Sequence, residues 1–152
     1  MSRAGIARSL RRGRGLLAAG ALALLVPQRA RDAAAFSPDV NYALHCQGCH
    51  LADGRATPGL VPAIDGEIGR FMRVREGRDY LIRLPNVAAT QLDDADTAAL
   101  LNWLLRRFAA SELPADFQPF GAAEIAAGRH QPLVDVEGAR RNVQRLLGEK
   151  PG

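Results

Sequence analysis

Lysine is almost missing from this chain. Of 20 basic residues, only Lys150 is not an arginine, so no lysine ring exists for docking. Cysteine is as scarce: Cys46 and Cys49 are the only two. A structural zinc site needs four ligands, usually as two pairs, and the second pair is absent. Methionine occurs twice, and one of the two is Met1. No basic run with interleaved aromatics is present, which argues against nucleic-acid binding. The apolar stretch at 16–27 has twelve residues, whereas a bilayer span needs about 20. No catalytic carboxylate pair and no nucleophile constellation stands out. Residues 36–152 contain no internal repeat and no low-complexity tract.

What is present begins with the leader. Residues 1–15 carry five arginines and no acid, 16–27 are apolar, and small residues at 33–35 read Ala-Ala-Ala. A charged start, a short apolar middle and a small-residue end predict a secretory signal cut near Ala35. Removing seven arginines and one aspartate leaves 13 basic and 15 acidic residues. The mature part is therefore slightly acidic, and the high isoelectric point belongs to the leader. The expected location is the periplasm, with no stable membrane span after cleavage. About 117 residues remain, enough for one small domain with a modest core.

The chemistry is concentrated in Leu44–Gly54, LHCQGCHLADG. Two thiols three positions apart can form a redox disulfide, but the thioredoxin-like setting needs strand–helix alternation, which is missing here. Zinc lacks its second ligand pair. The contiguous C-x-x-C-H favours covalent haem. Cys46 and Cys49 would add across the haem vinyl groups, and His50 would place its imidazole on the iron. The cofactor-binding residues are then Cys46, Cys49 and His50, with His50 the metal ligand of one haem c.

The rest of the pattern is helical. Ser37-Pro38-Asp39 reads as a helix start that runs into the motif. Residues 51–69 are rich in glycine and proline and read as loop. A short irregular turn then leads to a helix over Arg78–Leu84, stopped by Pro85, and NVAATQ reads as loop. Residues 93–108 form the clearest helix. Asp93 is at its cap, Asp94 and Asp96 are in its first turn, and Arg106 and Arg107 are in its last. Leu100, Trp103, Leu104 and Phe108 share one face. Weaker helices are expected at Ala122–Ala127 and Glu137–Leu147. The apolar residues Phe117, Phe120, Ile125, Leu133, Val134, Leu146 and Leu147 are too many for a solvated tail, so this extension should pack on the core.

From Pro38 to Phe108 the chain resembles a class I c-type cytochrome. The shared features are an N-terminal helix, C-x-x-C-H, a glycine- and proline-rich loop, a short helix, and an acid-capped last helix bearing an aromatic. The resemblance implies an all-α, cytochrome c-like domain at 36–108 around one haem, with 109–152 as a helical extension. It implies that Tyr42 and Trp103 cross the first and last helices. It also implies that the carbonyl of Pro62 accepts the Nδ1–H of His50, which would make the imidazole a stronger donor to iron. The implied function is single-electron transfer between redox proteins, a donor dehydrogenase and an acceptor oxidase or cytochrome, without enzymatic turnover.

One part departs from that family. Its usual Met-Pro ligand motif is replaced by Leu84-Pro85, and no methionine lies between Ala88 and Asp93. Met72 comes early, His130 lies in the extension, and His45 is tied to the motif itself. The sixth iron position is then open under an apolar lid such as Leu84 and Val87, or filled by Met72 or His130. An open position keeps a second function in play, a small-ligand sensor or peroxidase-like haem protein. The expected distal stretch offers Asn86, Thr90 and Gln91 as its polar groups.

Overall fold

A computed structural model describes residues 36–149. The expected export signal, residues 1–35, lies outside the described residues. These contain seven α-helices and no strand, the all-helical class expected of a small cytochrome c-like domain. No described helix is long and apolar enough to cross a membrane.

Helix α1 covers Pro38–His45. Pro38 starts it because its preset φ suits the first turn, where its missing N–H costs nothing. Ser37 sits at the cap with extended backbone, but its side chain makes no capping bond to the helix backbone. Instead of continuing through the motif, the helix stops at His45. A tight turn follows in which the Cys49 and His50 amides both donate to the Cys46 carbonyl, at 3.2 and 3.0 Å.

Two short elements replace expected irregular chain. Helix α2, Glu67–Phe71, has five residues, too few to show a helical period in the sequence. Helix α4, Pro85–Ala88, forms because Pro85, while ending α3 at Arg83, also starts a new turn. Helix α3 begins at Arg75, one turn earlier than its sequence suggests. Helix α5, Asp94–Phe108, is capped as expected: the Asp93 carboxylate accepts the Asp96 amide at 2.7 Å. After a single 3-10 turn at Ala110–Glu112 come α6, Ala122–Arg129, and α7, Val136–Leu146.

The core forms where α1 crosses α5. Tyr42 lies 5.5 Å from Trp103 and 5.1 Å from Phe108, ring centre to ring centre, and Trp103 meets Phe108 edge-on at 5.5 Å. Such offset and edge contacts add about 0.5–1.5 kcal/mol each beyond burial. With α1 and α6 both packed on α5, Leu101 and Leu105 are buried along with Leu100 and Leu104. The single apolar face read from the sequence is too narrow for that reason.

Helices α6 and α7 pack on α3 and α5, though not through every apolar residue named for the extension. Phe120 and Ile125 are buried, but Val134 is fully exposed and Leu146 half exposed. Helix α7 turns Val136, Ala139, Val143 and Leu147 toward the core. Those positions follow helical spacing, and Leu146 falls off the stripe. Arginines bind the extension to the rest. Arg78 grips the Glu124 carboxylate with two bonds of 2.8 and 2.7 Å and stacks 4.1 Å over Phe120.

This packing makes two predictions. The Tyr42 hydroxyl donates to the Leu51 carbonyl at 2.7 Å, and its phenol is pushed up to about 12 from an ordinary 10, first by burial, then by Cys46 and Asp53 nearby. The unfolded chain therefore ionises first, and the stability this group contributes, intact below pH 10, is lost as pH rises toward 12. Tyr42→Phe should flatten this alkaline fall in urea titrations and cost about 1 kcal/mol at neutral pH. Tyr80 is also raised by burial, so the fall should shrink rather than vanish. At Gly77 in α3, an added Cβ would strike the Phe71 carbonyl oxygen. Gly77→Ala should lower the urea midpoint, because a clash worth about 1–3 kcal/mol outweighs the roughly 0.5–1 kcal/mol gained in helix propensity.

Candidate functional site

A pocket of about 430 Å³ opens beside the Cys46–His50 turn, within the usual size range of ligand sites. Cys46, Cys49 and His50 all line it. One wall is the loop Leu60–Ile64, and another is α5 through Leu100, Leu101 and Leu104. Leu81 of α3, then Leu84 and Val87 around α4, close it with apolar side chains. Asn86 and Thr90 reach it as well, whereas Gln91 does not.

The turn is held from both ends. Tyr42, one helical turn before Cys46, is tied by its hydroxyl to Leu51, just past His50. Gly54 then lets the chain double back. Its φ is +82°, and a Cβ there would lie 2.6 Å from the Phe108 ring, so glycine is required on both counts.

Both thiols are free and partly buried. Burial pushes the Cys46 thiol up to about 11. Burial also lowers the pKa of His50, keeping its imidazole neutral, the form that can donate a lone pair to a metal. The Nδ1 atom of His50 is buried with no hydrogen-bond partner. The bond expected from its Nδ1–H to the Pro62 carbonyl is therefore not made, although Pro62 does line the pocket. Among the described residues no group of three or more His, Cys, Asp or Glu gathers in a metal-binding cluster. The donor set instead fits a haem: two thiols, one neutral imidazole, and a large apolar cavity beside them.

The two distant candidates for the sixth ligand are elsewhere. Met72 is buried, 6 % exposed, but it faces a shallow groove shared with Phe117 and Pro119 and does not line the pocket. His130 is an exposed residue at the end of α6. His45 lines the pocket edge beside Cys46.

The sequence hid one contributor. Helix α7 places Val136, Glu137 and Arg140 on the pocket. Arg140 pairs with Glu67, which also accepts the Gln144 amide at 2.7 Å. In the sequence these residues look like an ordinary solvated helix face some 90 positions from the motif. Only the folding back of the extension makes them pocket residues.

No family model matches the chain. It is 27% identical over 107 residues to a cytochrome c-552 of Thermus thermophilus, an alignment covering 59% of this chain and 82% of that protein. It is also 27% identical over 107 residues to the cytochrome c-552 of a designated strain of the same species, covering 59% of this chain and 72% of the other. The chain is thus similar to c-type cytochromes, in keeping with its helical fold and with the motif at the pocket.

Proposed function

We propose that the chain is an exported monohaem c-type cytochrome that carries single electrons between redox proteins. The observation that carries this reading is the gathering of Cys46, Cys49 and His50 on one large apolar pocket. In this reading residues 36–108 form the haem domain, residues 109–152 are an extension packed on it, and residues 1–35 are a leader removed on export to the periplasm. The partners are a donor dehydrogenase and an acceptor oxidase or cytochrome, and the chain itself is not an enzyme.

Haem, when bound, supplies reversible one-electron chemistry. The chain does the rest. Cys46 and Cys49 tether the porphyrin, and His50 stays neutral and presents a nitrogen lone pair. Leu81, Leu100, Leu101 and Leu104 exclude water, so little solvent must reorganise when the charge changes.

A second reading draws on the lining of the pocket. Among the described residues that line it there is no methionine, and the only imidazoles are those of His45 and His50. A sixth position left open in this way would suit a small-ligand sensor or a peroxidase-like haem protein.

One haem per chain should survive acid–acetone extraction. Cys46→Ala or Cys49→Ala should leave a weaker single tether, and His50→Ala should abolish stable haem. Haem that extracts freely from the wild type would overturn the reading. Exported protein should begin near Phe36 on N-terminal sequencing. Met72→Leu and His130→Ala should leave the ferric and ferrous spectra unchanged, with Met72→Leu costing less than about 1.5 kcal/mol as a near-isosteric core swap. Rapid carbon monoxide binding by the ferrous protein would favour the second reading over a plain carrier with a filled sixth position.

A further inference from the structure

The segment from Ala88 to Asp94 joins α4 to α5 and meets the pocket at Thr90, next to Val87 of α4, which also lines it. Its two ends are fixed locally: the Ala88 and Ala89 amides bond back to the Leu84 and Pro85 carbonyls at 2.8 and 3.0 Å, and Asp93 caps α5. Between them support is thin, since the Thr90 amide reaches the Val87 carbonyl at 3.3 Å and the Leu92 amide reaches the Thr90 hydroxyl only at 3.5 Å. The carbonyls of this stretch are held from the extension. Arg129, the last residue of α6, has a side chain only 13% exposed. Its Nε donates to the Ala88 carbonyl at 3.2 Å, and its Nη2 to the Thr90 carbonyl at 2.6 Å. Its Nη1 donates to the Leu92 carbonyl at 3.0 Å and to the Asp94 carboxylate at 2.9 Å.

One guanidinium thus gathers three alternate carbonyls and a carboxylate. A planar fork of five N–H groups can do this, whereas an ammonium has three donors and no fixed plane. The approach of α6 is itself constrained. A Cβ on Gly128, the preceding residue, would lie 2.7 Å from the Ile82 side chain, so α6 comes close to α3 just where Arg129 leaves it. Arg129 does not line the pocket. Any influence it has on the site passes through the loop.

We infer that Arg129 is a positioning residue for the pocket: it fastens the 88–94 loop, and with it Val87 and Thr90, and so governs access of small molecules to the pocket. For its ligand-binding readout the inference rests on the haem reading above. For its loop readout it does not.

The test uses the full chain as purified, with Arg129→Gln, Arg129→Lys and Asp94→Asn. Amide hydrogen exchange across 88–92 should quicken about tenfold or more in Arg129→Gln, the scale expected when charge-assisted bonds are lost. Exchange in α1 and α5 should stay at the wild-type rate. Arg129→Lys should fall between the two, and it decides the matter if Arg129→Gln does not fold. Asp94→Asn should stay near wild type, because the three carbonyl bonds remain. Carbon monoxide should associate with the ferrous protein several-fold faster in Arg129→Gln, which a merely structural role would not produce. Unchanged exchange at 88–92, or acceleration spread evenly through α1 and α5, would overturn the clamp. A loosened loop with unchanged carbon monoxide association, or no binding in either form, would overturn its control of access. A chain purified without haem would overturn the cytochrome reading, while the exchange measurement would still decide the clamp.

Discussion

The structure depends most on one crossing, that of α1 over α5 through Tyr42, Trp103 and Phe108. Tyr42 is completely buried there, and its hydroxyl spans the motif turn to Leu51. The same ring that locks two helices together thereby fixes the Cys46–His50 turn between them. Gly54 completes the lock by bringing the returning chain against Phe108. Loosening this cluster would do more than expose apolar surface, because the pocket's two thiols and imidazole are aimed by the same contacts.

A second constraint comes from the extension. Residues beyond the 3-10 turn pack on α3 and α5 and supply part of the pocket wall. The bonds that hold them are largely made by arginines. Arg70 reaches Glu149 at 2.7 Å, and Arg83 reaches the Gln131 carbonyl at 2.6 Å. Arg78 forks onto Glu124, and Arg140 pairs with Glu67. Surface ion pairs contribute little singly. These are partly buried, bidentate or shared with backbone carbonyls, and arginine keeps its charge and geometry in such places where lysine would not. The near-absence of lysine and the mode of attachment of the extension are thus physically connected.

The pocket itself is mostly apolar, with polar groups at the motif end, at the Asn86–Thr90 rim, at Tyr80 and Thr97, and around Glu67, Glu137 and Arg140. In that setting burial keeps His50 neutral and Cys46 protonated. The Nδ1 of His50 is buried there without a hydrogen-bond partner.

The sequence by itself determined the local features. The C-x-x-C-H spacing marks the chemistry because the ligands are contiguous. Asp93 and the 93–108 pattern define α5 because capping and helical period act within a few residues. Pro85 ends α3 for the same local reason. Tertiary structure decided the rest. Helices α2 and α4 are too short to carry a period and form where neighbours support them. Leu101 and Leu105 are buried because distant parts of the chain, α1 and α6, pack around α5. Met72 is a plain core residue because its turn faces the groove rather than the pocket. Arg129 and Arg140 read as solvated charges in sequence. They became a loop clamp and a pocket wall because only the folded extension brings their guanidinium groups to acceptors some 40 and 70 positions away.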